Sequence, residues 1–297
     1  MNKIHTLFSK IRLSGQFAMS AGILTALFQV PMTIPKDEAL KKLSIPVQEE
    51  VITGEVQALK APLAQVFFGS AVPKATVDKI VSNQMDFVSS RKAYSASLAV
   101  IKKHEKTIRT AAKKEGVPED VALGVGLLEN GGSETAKSSA GAMGVFQLMP
   151  GTARGLGLTV NKKVDERRNP QKNISAGMTY LAQNYERFGD WGLATWAYHA
   201  GEGNVAKALK LYAKSNHGIT LPGVNQPAKL RAYVEKHGIT IHKLLSDKSV
   251  KTLTRKLNDD SAGYPYKVIA TSTLLKESKT VPKPQALSEI KAKVKGR

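Results

Sequence analysis

The chain is 297 residues long, 42% apolar and 23% charged, which marks a folded globular protein and excludes a disordered or fibrous one. It has no cysteine, so disulfides, thiolate metal sites, a cysteine nucleophile and a lipidated N-terminal cysteine are ruled out. Its 44 basic and 24 acidic side chains leave a charge of +20, with 19 against 7 in residues 201–297 alone; such an excess suits polyanionic surroundings, whether nucleic acid, anionic lipid or wall polymer.

Lys3, Lys10 and Arg12 precede 23 residues without a formal charge, Leu13 to Pro35, which contain the apolar stretch FAMSAGILTALF. A basic start with a short apolar core resembles a secretory signal. At 12 residues that core is short for a membrane span, which takes about 20. No small-x-small cleavage site follows Phe28, so residues 1–35 are read as a signal peptide or an N-terminal membrane anchor. Residues 36–98, with prolines at 46, 62 and 73, hold no chemical motif and read as a partly helical extension of unknown role.

From Ile101 the pattern changes. IKKHEKTIRTAAKKEG has apolar residues at 101, 108, 111 and 112 and a stop at Gly116. Pro118, Glu119 and Asp120 open a second helix, VALGVGLLE, which ends at Asn130-Gly131-Gly132. Asn173 is expected to cap a helix with Ile174, Met178, Leu181, Ala182 and Tyr185 on one face. WGLATWAYHA, 191–200, reads as a buried helix broken by Gly201 and Gly203, with Trp191 and Trp196 in the core. Asn204 is expected to cap the next, which carries Val205, Ala208, Leu209 and Tyr212. The tetrapeptide HGIT occurs at 217–220 and 237–240, too short to define a repeat. The Lys- and Pro-rich stretch 276–297 is expected to be a mobile basic tail. Strand-like alternation is scarce, so the fold class is mainly α.

Several chemistries have no support. The histidines at 5, 104, 199, 217, 237 and 242 include no pair at metal-binding helical spacing. Neither a phosphate-binding GxxxxGK or GxGxxG loop nor a GxSxG nucleophile elbow is present. No cofactor or metal is expected, and no specific nucleic-acid partner. One acid stands out: Glu129, at the end of an otherwise apolar helix. Burial and the negative end of the helix dipole both raise its pKa, as a general acid near neutral pH requires. Taken alone, Glu129 reads first as a helix-ending glutamate that simply reaches solvent.

Its surroundings decide between these. Glu129-Asn130 is followed by SSAGAMGVFQLMPGTARGLG (138–157), then NPQKNISAGMTYL (169–181), then AYHAGEGNV (197–205). In that order these segments resemble the motifs of the soluble lytic transglycosylase catalytic domain, related to goose-type lysozymes: Glu-Ser, GAxG[LV][MF]Q[LM][MT]P, NPxxNIxxGxxYL and AYNAGxGxV. The likeness covers about residues 100–215, and YPYKVIA (264–270) is weakly similar to the family's closing Tyr-Val helix. Two positions depart from the pattern, Asn130 for the serine and His199 for the asparagine.

The resemblance implies a lysozyme-like domain over 99–275, its motifs within 118–205. It implies cleavage of the MurNAc-β-1,4-GlcNAc bond of peptidoglycan by attack of the muramyl 6-hydroxyl on its own anomeric carbon, leaving a 1,6-anhydro end. Such a reaction needs one carboxyl group, whereas ordinary glycosidases need two. By position Glu129 is the catalytic acid and then base. Asn130, Met143, Gly144, Phe146, Gln147, Tyr180, Tyr198 and His199 are the candidate substrate-binding residues, with Tyr198 expected to hydrogen-bond the catalytic carboxyl. Leu148 and Met149 are assigned to the core, while Tyr180 is open between core and cleft wall. Partners would be glycan strands, with an anionic wall polymer or membrane surface for the basic C-terminal region. The implied location is exported, in the periplasm or envelope. The alternatives are a water-using muramidase acting on the same bond, a catalytically silent wall-binding or scaffold protein, and, on charge alone, a nucleic-acid binder.

Overall fold

The computed structural model describes residues 63–257 and 260–280. The signal-like segment, the 36–62 part of the extension and the tail beyond 280 lie outside the described residues. Among those described the fold is mainly α; strand-type pairing is confined to isolated bridges at Lys137–Met143, Met143–Leu148 and Val160–Asp165. No described helix is long and apolar enough to cross a membrane.

The helices are α1 (Leu63–Phe68), α2 (Lys74–Ser89), α3 (Tyr94–Glu115), α4 (Glu119–Glu129), α5 (Pro150–Gly155), α6 (Pro170–Phe188), α7 (Trp191–Ala200) and α8 (Glu202–His217). They continue with α9 (Pro227–His237), α10 (Ile241–Ser246), α11 (Lys248–Lys256) and α12 (Tyr264–Thr280). Short 3₁₀ turns precede α6 and α12.

At the centre lies α4. Every residue from Val121 to Leu128 is buried, and a helix apolar on all sides must be enclosed on all sides. α3, α7 and α12 supply that enclosure. Two glycines allow the close approach: a Cβ on Gly124 would sit 2.6 Å from the Val268 carbonyl oxygen of α12, and one on Gly126 would sit 2.9 Å from Ile101 Cδ1 of α3. α6 packs against α3, α7 and α9, and Trp191 and Trp196 are buried in the core as the patterning predicts.

Several expectations need correcting. The boundary placed between 98 and 99 falls inside α3. α2 packs along α12, and α1 touches α7, α10 and α12, so the extension from Leu63 onward belongs to the same body. The cap of α6 is Asn169, whose side chain accepts from the Lys172 amide, and not Asn173. Pro170 follows directly and fixes the first helical φ, so the helix starts a turn earlier than expected. α8 begins at Glu202, and Asn204 lies within its first turn, donating to the Ala200 carbonyl. The helix that precedes the basic tail runs on to Thr280. HGIT recurs because α8 and α9 end alike: Gly218 and Gly238 both adopt left-handed backbone, with φ of 66° and 54°. The two preceding histidine rings, His217 and His237, stack at 4.2 Å.

Candidate active site

Glu129 is the last residue of α4, half-buried, with the apolar helix behind it. The phenol of Tyr264, first residue of α12, donates to Glu129 Oε1 at 2.6 Å. Burial is the dominant influence and lifts the carboxyl to about 7, against the opposing effects of the Tyr264 hydrogen bond and the nearby Arg91 guanidinium. Burial, together with the negative charge of Glu129, holds the Tyr264 hydroxyl well above its ordinary range, so this phenol remains a donor. The ring of His199, exposed on α7, stacks on Tyr264 at 4.2 Å and 10°. The tyrosine contacting the acid thus comes from YPYKVIA, 135 residues downstream, where the sequence signal was weak.

Tyr198 does not take that role. Its hydroxyl donates to the Phe146 carbonyl at 2.5 Å. It still stands close enough to Glu129 for the carboxylate to add to burial in raising its phenol. Tyr198 therefore ties the 138–148 loop to α7 beside the acid. Tyr180 packs against it, ring centroids 5.2 Å apart, and donates to Glu202 Oε2 at 3.1 Å. Burial and the Glu202 charge push the Tyr180 phenol up to about 12. Tyr180 thus extends the wall begun by Tyr198 and introduces a second carboxylate at its far end.

Asn130 is a correction. It is fully buried, its Nδ2 donating to the carbonyls of Ser97 (3.2 Å) and Gly126 (2.8 Å), while its Oδ1 accepts from the Gly132 amide (2.8 Å). It fastens the turn after Glu129 to α3, with no side-chain polar atom turned to the cleft.

The loop that follows is fixed from below. Gly144 has a φ of 89°, and a Cβ there would lie 2.3 Å from Asn173 Nδ2 and 2.5 Å from the Arg167 carbonyl oxygen. Asn173 accepts from the Phe146 amide (2.7 Å) and donates to the Met143 carbonyl (3.0 Å). The buried Arg167, paired with Asp165, donates to the carbonyls of Gly141 (2.7 Å) and Leu148 (2.9 Å). Gln147 holds left-handed backbone, φ 43°, and its Nε2 donates to the Ala136 and Gly144 carbonyls. This strain in a non-glycine residue is offset by those two bonds. The side chains of Met143 and Phe146 point into the protein, Phe146 against Gly126 and Gly177, so only their backbone is available to a ligand. Leu148 is core as expected, but Met149 is 43% exposed and is not.

The result is a helical body in which one half-buried acid, raised to about 7, stands beside two tyrosines, Tyr264 bonded to it and Tyr198 tied to a glycine-bearing loop. Residues 106–219 match the family model described as the transglycosylase SLT domain. Over 125 residues it is 30% identical to membrane-bound lytic murein transglycosylase D of Escherichia coli K12, covering 42% of this chain and 27% of that one. It is 34% identical over 119 residues to the transglycosylase of Enterobacteria phage PRD1, covering 40% and 42%, and 37% identical over 109 residues to peptidoglycan transglycosylase gp16 of Escherichia phage T7, covering 36% and 8%. The chain thus spans less than half the length of these curated relatives. Lytic transglycosylase Slt of Pseudomonas aeruginosa is a looser structural match, at 19% identity and a TM-score of 0.38, covering 69% of this chain and 31% of that one.

Proposed function

We propose that this protein is a peptidoglycan lytic transglycosylase, cutting the MurNAc-β-1,4-GlcNAc bond with Glu129 as general acid and then general base. The observation that carries the reading is the state of Glu129: a carboxyl near 7 is protonated and ionised in comparable amounts at neutral pH, as a group used twice in opposite senses needs. Tyr264 holds Oε1, leaving Oε2 to deliver the proton to the glycosidic oxygen as the bond to the anomeric carbon breaks. The muramyl 6-hydroxyl, tethered beside that carbon, then attacks it and returns its proton to Oε2, closing the 1,6-anhydro ring. The loop backbone from Met143 to Gln147, with Tyr180 and His199, would line the saccharide path. Asn130 drops out of that set, because its hydrogen bonds hold the turn. A wall substrate requires an exported protein, in keeping with the basic, apolar start of the sequence.

The decisive experiment digests purified peptidoglycan with wild type and Glu129→Gln and identifies the products by mass spectrometry. Anhydro-muramyl ends from wild type and none from the variant are expected; reducing ends from wild type would refute the transglycosylase chemistry.

One observation favours a second reading. The carboxylate of Glu202, held on Tyr180 beside Tyr198, is a second acid at the edge of the same wall, as a water-using muramidase would require. In that case Glu202→Gln would abolish cleavage; the transglycosylase reading expects that variant to keep the anhydro product.

A further inference from the structure

Away from the cleft, Lys207, Lys210 and Lys214 recur along α8 at steps of three and four and so share one face. With Leu211, Leu221 and Leu253 they line a groove of about 440 Å³, and Leu211 is 41% exposed. No carboxylate among the described residues forms an ion pair with any of the three lysines. α8 has no acid after Glu202. The neighbouring α11, which packs against α8 and supplies Leu253, carries Lys248, Lys251, Arg255 and Lys256 with no acid at all. The positive charge here is left for something outside the fold to neutralise.

The floor of the groove narrows what that partner is. A saccharide chain needs polar groups or aromatic faces, and a nucleic acid needs stacking or base-reading side chains. Here, apart from the lysines, the lining is Leu211, Leu221 and Leu253 with the single hydroxyl of Thr220, and it has no aromatic ring. A cationic rim over an aliphatic floor matches a phosphate headgroup above an acyl region, with the lysine stems lying along apolar surface and their ammonium groups at headgroup level. We infer that the Lys207–Lys210–Lys214 face and its leucine floor dock this domain on an anionic phospholipid surface. α8 starts at Glu202, hydrogen-bonded to the cleft wall through Tyr180. The lysines lie five to twelve residues further along it, about 8–18 Å at the helical rise. Docking here would hold the cleft within a short reach of the membrane face, independently of the chemistry at Glu129.

The test is co-sedimentation of the full chain with phosphatidylcholine vesicles and with vesicles one-third phosphatidylglycerol, at low and high salt. Wild type should bind the anionic vesicles more strongly than the neutral ones, by a margin that shrinks in high salt. Attraction of a basic side chain to such a surface is worth roughly five-fold in partitioning, so Lys207→Gln/Lys210→Gln/Lys214→Gln should lose roughly a hundred-fold. Leu211→Ser should weaken binding several-fold at either salt. Thermal melts and activity on soluble glycan, expected unchanged in both variants, show that the fold and the cleft are intact. Absent or lipid-independent binding by wild type would overturn the inference, as would a triple variant that partitions like wild type. So would a Leu211→Ser protein that binds as wild type while the triple variant does not, since the site would then serve a soluble polyanion.

Discussion

Glu129→Gln should stabilise the protein, and by an amount that depends on pH. In the fold, burial lifts the Glu129 carboxyl from its ordinary 4.5 to about 7. The folded state therefore holds this proton more tightly than the unfolded chain. Below pH 4.5 both states are protonated and the group costs nothing. Between 4.5 and 7 the unfolded chain gives up its proton first and folding loses ground; above 7 the full penalty is present. A displacement of 2.5 units, 7 − 4.5, is worth about 3 kcal/mol at 1.36 kcal/mol per unit. Glutamine keeps a carbonyl to accept from Tyr264 and has no charge to desolvate. Thermal unfolding of the two proteins should nearly coincide at pH 4 and separate by roughly 5–10 °C at pH 8, taking about 2–4 °C per kcal/mol for a domain of this size. Asp190, whose buried carboxyl is also raised to about 7, is common to both proteins and cancels in the difference. A separation that is the same at both pH values, or reversed, would refute a desolvated acid at this position.

Tyr264→Phe removes a hydrogen bond that lowers the Glu129 pKa, so the alkaline limb of the pH–rate profile on purified peptidoglycan should move upward by about one to two units; an unmoved limb would mean the contact is absent in solution. Gly144→Ala would force a Cβ into Asn173 and the Arg167 carbonyl at a left-handed φ, and should cost about 3 kcal/mol or more in denaturant titrations, together with most activity. Asn130→Ser restores the family's usual residue yet gives up two donated bonds inside the turn, so it should lower stability by about 1–3 kcal/mol while the product, read by mass spectrometry, stays the same.

Local signals carried much of this architecture. The helix α4 was readable because Pro118, two acids, an uninterrupted apolar run and two glycines bracket it without competition. α7 was readable because its apolar run stops at Gly201; its start is fixed by Asp190, whose side chain accepts from the Leu193 amide. The start of α6 was misplaced because two asparagines, Asn169 and Asn173, are both competent caps. Only the proline after the first settles which is used, and the second then turns inward to hold the loop. At the site, Glu129 and the loop were legible as a motif, but the direction of each side chain was not. Asn130 and Phe146 point inward because the turn and the glycines of α4 and α6 leave them partners and space there. Tyr264 lay in a segment of weak likeness and its contact with the acid was not legible, because no pattern in one dimension pairs it with residue 129. Two helices meet there only because α4 is apolar on every face and needs α12 as cover.

That meeting carries a consequence for how the site comes into being. The segment matching the SLT domain ends at residue 219, yet the phenol that grips its acid arrives with residue 264. As the chain is made, Glu129 emerges well before α12, the helix that covers one side of α4 in the fold. At translation rates of about 5–20 residues per second, 135 residues take on the order of ten seconds. Through that interval α12 adds nothing to the burial that raises the Glu129 carboxyl in the fold. The raised carboxyl of Glu129 is thus complete only when the helix that covers it has been delivered.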